Sequence, residues 1–247
     1  MRKKLHCSRA QTPWLLREKY PTDILKRKLS SLSLRVRQEQ LELFFKYLKP
    51  KKSDRVIDVG VSSVETLAEI NFFEKKYPFP ERLTAVSIDE PLDFPKRYPQ
   101  IKFLKVQAGE KLPFDNKSFD IAVSWATLEH VGDEKKQKFF LSELFRIGKK
   151  VFITTPYRGC FYEPHSELFF VHWLPRKWFQ KICRLLKKDF WVSEDNLRCL
   201  WIKEVRELLP KTEKTEVIVY KTFGFIPSHL IIIGQVSPSS EKQSFMA

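Results

Sequence analysis

Three stretches of the sequence hold side chains able to do chemistry. Residues 55–60 read Arg-Val-Ile-Asp-Val-Gly, an apolar run ending in an acid and then a glycine. Asp58 can accept hydrogen bonds from an ammonium group, and Gly60 permits a tight turn with close approach of a ligand to the backbone. The plainer reading of the pair is a strand-to-helix turn with a capping acid. Further on, the apolar run 119–124 leads through Trp125 to Glu129-His130. A histidine just past a strand end can act as a general base near neutral pH, or it can pair structurally with the neighbouring acid. The third stretch reads Thr-Thr-Pro-Tyr-Arg at 154–158, then Glu163-Pro164-His165, then His172-Trp173-Leu174-Pro175. Loops past strand ends collect functional residues. The alternative here is a lid with both histidines hydrogen-bonded inside it. No i, i+4 ligand pair supports a metal, and none is expected.

Two further positions suit a nucleotide-like ligand. Asp89 directly follows an apolar run, where an acid can accept two hydrogen bonds from ribose hydroxyls; its alternative is an N-cap before Pro91. In Ala108-Gly109-Glu110, Gly109 can offer its N–H to an adenine edge. Trp125 can pack on the same ring or belong to the core.

The elements that must position these residues follow from periodicity. Leu41, Phe44, Phe45 and Leu48 fall at helical spacing, so 38–48 reads as a helix covering a sheet. Strands are expected at 56–59, 83–88, 101–106, 119–124 and 151–154. The fourth is apolar on both faces, as a central parallel strand should be. Ser62 with Glu65 forms a capping-box pattern and predicts a helix there, its free N–H groups and positive dipole end aimed at the site. Helices are also expected at 134–147 and 203–209. A closing hairpin of 217–220 with 230–233 surrounds Gly224 and Pro227. This alternation outlines an α/β, doubly wound sheet with an antiparallel edge.

Composition bounds the rest. At 247 residues, one α/β domain is expected, with 43% hydrophobic content to build its core. Residues 1–50 read as a basic arm and covering helix, 51–236 as the main domain with an aromatic and basic lid at 157–200, and 237–247 as a disordered tail. Of the net +15, residues 1–55 carry +11, which points to an anionic partner or to a solvated basic face. The four cysteines have neither CxxC nor zinc spacing and fit a reduced, cytoplasmic protein. No run is long enough for a signal-peptide core or a membrane span.

Taken together, Leu112-Pro113-Phe114 through Ser118-Phe119-Asp120, followed by Leu128-Glu129-His130-Val131, resembles class I S-adenosylmethionine-dependent methyltransferases of the "type 11" group. Thr-Thr-Pro after the fifth strand and His-Trp-Leu-Pro further on resemble a bacterial subgroup of it. The resemblance implies a Rossmann-like, seven-stranded, mostly parallel sheet with an antiparallel last strand, and S-adenosyl-L-methionine as cofactor. It assigns Asp58, Gly60 and the Ser62 turn to the methionine end. Asp89 would hold the ribose, Gly109 and Glu110 would lie by the adenine, and Trp125 beside the cofactor. The chain departs from the pattern at Ser62 and Val64, where glycines are usual, and at Ala108, where an acid often grips the adenine amine. Quinone O-methyltransferases carry a further acid where Ala126 stands, so neither their metal nor their substrate is carried over.

The implied reaction passes a methyl group from sulfonium to an O, N or C nucleophile. His165 is the first candidate for the base, with His130 and Tyr157 behind it. Segment 168–191 holds seven aromatic rings, six basic residues and one acid. Such stretches suit a membrane surface or stacked bases. A small-molecule, saccharide or lipid-linked acceptor is therefore expected, with peripheral contact to an anionic membrane. RNA stands second, because no RNA-binding module is appended. A non-catalytic binding protein stands third, on Val64 and Ala108.

Overall fold

The computed structural model describes residues 24–65, 67–211 and 213–235. The expectations for the first 23 residues and for the tail at 237–247 lie outside them. Helix α1 (Ile24–Leu48) has no glycine or proline in its 25 residues. It stops where Lys49 turns left-handed (φ 46°) and Pro50 follows. It is longer than its apolar spacing announces, and its buried stripe includes Val36, Gln40, Leu41, Phe44 and Leu48.

Strands β1 (Val56–Val59), β2 (Leu83–Ser87), β3 (Lys102–Lys105), β4 (Phe119–Trp125) and β5 (Gly148–Pro156) run parallel to one another. With β8 (Lys214–Thr222) and β9 (Ile226–Gln235) they form one seven-stranded sheet in the order β3-β2-β1-β4-β5-β9-β8. Strand β9 is antiparallel to both neighbours. The reversed strand is therefore one in from the edge, and the edge strand β8 runs with the other five.

Alternate residues of the strands feed two core layers. Val56, Ile121 and Phe152 pack towards α1, whereas Ile57, Ala122 and Ile153 pack towards helices α4 (Glu134–Ile147) and α6 (Ile202–Leu208). That is the two-sided burial expected of central parallel strands. Helix α4 has the bounds its periodicity predicts, and the Asp133 carboxylate caps it by accepting from the Lys136 N–H at 3.0 Å.

The expected helix at Ser62 is absent. The chain after β1 is irregular, and the next helix, α2 (Phe72–Lys76), is a single five-residue turn. Tertiary partners overrode the capping pattern. Glu65 is drawn to Lys75, Arg97 and Tyr98, and Asn71 bonds Ser62 from both sides of its amide. Among the described residues, no helix start faces the turn after Gly60.

Between β5 and α6 the chain builds a lid. A two-stranded ribbon, β6 (Tyr162–Glu163) with β7 (Leu168–Phe169), precedes the helix α5 (Arg176–Leu185); α3 is the short helix Phe94–Arg97 after β2. Arg158 fastens the lid by donating to the carbonyls of His172 and Leu174 at 2.8 and 3.0 Å. Arg176 does the same to Leu197 and Val192 at 3.1 and 2.9 Å. Among the described residues, no helix is long and apolar enough to cross a membrane, and Cys160, Cys183 and Cys199 are unbridged.

Candidate active site

Strand order reverses between β1 and β4, and a crevice at the carboxyl ends of such strands is the usual ligand position in open α/β sheets. A cavity of about 590 Å³ lies there. Its walls come from α1, the loop after β1, Trp125 at the end of β4, the lid and the β8–β9 hairpin. Of the residues singled out in the sequence, Asp58, Gly60, Ser62, Trp125 and His165 line it. Asp89, Gly109, Glu110, His130 and Tyr157 do not.

Gly60 sits at φ +108°, and a Cβ there would meet the Thr127 side chain at 2.2 Å. The position demands glycine for its conformation and for this close approach. Ser62 is committed to its own loop: its hydroxyl donates to the Val64 carbonyl at 2.8 Å, and its N–H donates to the Asn71 carbonyl oxygen of the side-chain amide at 3.0 Å. Trp125 stacks on Phe73 at 5.4 Å, so it serves the core and the cavity wall together.

Asp58 is buried beside Glu74, which comes from α2 and which the sequence did not single out. The two carboxyls are close enough to repel each other. Burial and mutual repulsion hold Asp58 well above the usual carboxylate range, and burial pushes Glu74 up to about 7. One Glu74 oxygen, Oε1, has no hydrogen-bond partner. Arg37 also lines the cavity from α1 and hydrogen-bonds Gln40 at 3.4 Å. The only sequence signal for either was a charge on a buried stripe: Arg37 beside Val36 and Leu41, and Glu74 after two phenylalanines.

The lid and the end of β4 meet in a second cluster. His165 Nδ1 contacts Glu163 Oε1 at 2.5 Å, and the same carboxylate accepts from the N–H groups of His165 and Ser166 at 2.9 and 2.6 Å. Glu163 lies far below the usual carboxylate range: burial opposes ionisation, but His165, His172 and these donors outweigh it. His165 Nε2 faces His130 Nε2 at 3.3 Å, and His130 Nδ1 contacts the Asn196 carbonyl at 2.6 Å. Burial lowers His130 to about 3. Glu129 is fully buried, with one oxygen accepting from the Thr155 hydroxyl at 3.0 Å and the other unpartnered. Two of the three sequence candidates for a base are thus in contact. The third, Tyr157, packs edge-on against Trp201 at 5.6 Å.

The positions expected to meet the adenosine lie outside this cavity. Asp89 is half-buried at the end of β2; burial raises its carboxyl, and Lys105 eases the shift. Gly109 sits in a left-handed turn (φ +77°) with open space around it, and Glu110 is exposed.

Residues 57–151 match the family model described as a methyltransferase domain. Over these residues the chain is similar to a methyltransferase domain, and its fold is the Rossmann-like methyltransferase fold. Its sheet order and reversed last strand agree with that fold. An S-adenosylmethionine-dependent methyltransferase of Thermotoga maritima superposes with a TM-score of 0.52 at 17% identity, covering 87% of this chain and 96% of that one. Geranyl diphosphate C-methyltransferase of Streptomyces coelicolor, solved with Mg²⁺, geranyl diphosphate and S-adenosyl-L-homocysteine, superposes with a TM-score of 0.52 at 14% identity, covering 82% and 80%. At these identities the likeness is one of fold. No curated protein sequence matches the chain.

S-adenosylmethionine is the cofactor that goes with such a domain, and the donor set fits it. An unpartnered carboxylate oxygen on Glu74, next to Asp58, is an acceptor awaiting a cation, and the methionine ammonium is one. A cavity of about 590 Å³ falls within the usual range of ligand sites.

Proposed function

We propose that the protein transfers a methyl group from S-adenosylmethionine to an apolar, lipid-linked acceptor met at a membrane surface. The observation that carries this reading is the continuity of the cavity with an exposed aromatic ridge. Phe161 and Phe223 line the cavity and are also solvent-exposed. Phe161 stacks on Phe169 at 6.1 Å, and Phe170 continues the ridge to Trp173 at 5.0 Å. Beyond it, α5 exposes Trp178 (56%) beside Lys177, Lys181 and Arg184. Phe179 and Cys183 on its other face are buried. Exposed aromatic rings among lysines and arginines suit an anionic bilayer interface.

In this reading Asp58 and Glu74 take the ammonium of the methionine end, Asp89 the ribose, and Gly109 with Glu110 flank the adenine. The acceptor occupies the apolar part of the cavity towards the lid. Glu163 fixes the Nδ1–H of His165, which leaves Nε2 as the basic atom to take the acceptor proton. Alignment and exclusion of water supply most of the rate, up to roughly 7–11 kcal/mol in favourable systems; the bound cofactor supplies the electrophilic methyl group.

Calorimetry with S-adenosylmethionine tests the cofactor half of the reading, and no binding would end it. Flotation with vesicles containing phosphatidylserine, across a salt series, tests the acceptor half. Binding is expected to weaken with salt and to be lost in a Trp178→Glu, Lys181→Glu variant. Salt-dependent binding to RNA instead, with none to vesicles, would replace the lipid reading with a nucleic-acid one.

A further inference from the structure

We infer that Glu129, His130 and His165 form a binding site for a divalent transition-metal ion, with zinc as its simplest occupant. The argument begins with which imidazole nitrogens carry hydrogen. The Asn196 carbonyl can only accept, so His130 Nδ1, 2.6 Å from it, is the donor. The Glu163 carboxylate likewise only accepts, so His165 Nδ1 is also a donor. In neutral rings both hydrogens are then spent, and each Nε2 presents a lone pair. These two lone pairs face each other at 3.3 Å. The unpartnered Oε1 of Glu129, fully buried, lies 3.9 Å from His130 Nε2. The three donor atoms all lie within 4.8 Å of one another.

Three electron-pair donors, one fully buried and two half-buried, converge on one point in a way that suits a cation. The histidine pair has the spacing of a coordination shell, since in a tetrahedral site with Zn–N bonds of about 2.0–2.1 Å neighbouring ligand atoms stand about 3.3 Å apart; the Glu129 oxygen, 3.9 Å from His130 Nε2, closes in as the ion binds. The outer contacts also have the form metal sites use, in which each ligating histidine donates its other N–H to a carboxylate or a backbone carbonyl. Here Glu163 and the Asn196 carbonyl fill those places, and Thr155 holds the remaining oxygen of Glu129. Two imidazoles and one carboxylate favour zinc or a neighbouring transition metal over magnesium, which prefers an all-oxygen shell. His165 places the cluster in the cavity wall. An ion there would polarise an oxygen acceptor as a Lewis acid and take over from the bare imidazole the task of activating it.

The competing state is a proton in the same place, with an imidazolium at His165 donating to His130. The two states are separable without cofactor or acceptor, so this inference stands or falls apart from the methyl-transfer reading. Full-length protein stripped with chelator is titrated with zinc chloride by calorimetry, with magnesium chloride in parallel. In a second series cobalt(II) uptake is followed by its visible absorption. One zinc per chain is expected, with a rise in melting temperature, the cobalt spectrum of imidazole–carboxylate coordination, and no magnesium uptake. Glu129→Gln, His130→Ala and His165→Ala should each remove the cobalt spectrum. Glu163→Gln, which touches no ligand atom, should weaken zinc binding by about 10–100-fold. Should His130→Ala fail to fold, the near-isosteric Glu129→Gln carries the test alone. No zinc uptake by the wild type, or equal uptake in wild type and Glu129→Gln, would overturn the site.

Discussion

Glu74 of α2 and Asp58 of β1 are buried side by side, and the two acids share a site in the cavity wall. Burial pushes Glu74 up to about 7. Its raised value stabilises the ligand-free fold below the ordinary carboxylate range, and that benefit is lost as pH rises through about 7. An entering ammonium group reverses the preference, because it needs a carboxylate. Cofactor affinity is therefore expected to strengthen from about pH 6 to about pH 8, with proton release on binding. Calorimetry in buffers of different ionisation enthalpy checks this. Glu74→Gln should flatten the profile; a wild-type affinity that does not change with pH would remove the pair from the ammonium site.

His165 is expected to matter for turnover and not for the cofactor. A base contributes typically about 10²–10⁴-fold, so His165→Ala should lower kcat within that range while the calorimetric affinity for S-adenosyl-L-homocysteine stays at the wild-type value. Equal turnover in the variant would exclude the residue from activating the acceptor.

Gly60 tests the cofactor turn. Its φ of +108° and the Thr127 side chain, 2.2 Å from a built Cβ, both oppose a larger residue. Gly60→Ala should cost about 1–3 kcal/mol of stability in denaturant melts and weaken cofactor binding. The paired variant Gly60→Ala, Thr127→Gly, which removes the clash but not the backbone strain, should recover only part of the loss.

Acid should loosen the lid. His172 is buried against Phe179, its ring 4.4 Å from that phenylalanine, and burial lowers it to about 4 from an ordinary 6.5. A depressed value stabilises the fold above the unfolded pKa, and the contribution is lost as pH falls from about 6.5 towards 4. Glu163 acts in the same direction, since its depressed carboxyl also loses its contribution in acid. Urea melts at pH 7 and pH 5 should differ by on the order of 2 kcal/mol, and His172→Gln should shrink the difference.

The strands were legible in the sequence wherever the apolar run is continuous, as at Val56–Val59 and from Phe119 onward, because burial on both faces leaves nothing else such a run can be. Helix α4 was legible because its stripe and its Asp133 cap agree. The Ser62 turn was not. Its local pattern favoured a helix, and the groups that overrule it, Arg97 and Tyr98, lie more than 30 residues away. The candidate site divides in the same manner. Asp58, Gly60 and His165 were found because each sits next to a readable strand end or in a dense motif. Glu74 and Arg37 were missed because a charge on an apolar helix face says nothing by itself about the acid or cavity it will meet. The contact between His130 and His165 is a product of the lid's path alone.

Helix α1 and the β8–β9 hairpin come from opposite ends of the chain and close the same cavity. Tyr220 donates to Glu39 at 2.5 Å, Arg35 lies over the Phe223 ring at 5.3 Å, and Arg37 and His229 both face inward. A chain still emerging from the ribosome therefore has no finished chamber until strand β9 is released. A copy without the hairpin leaves β5 with an unpaired flank and the cavity without one of its walls.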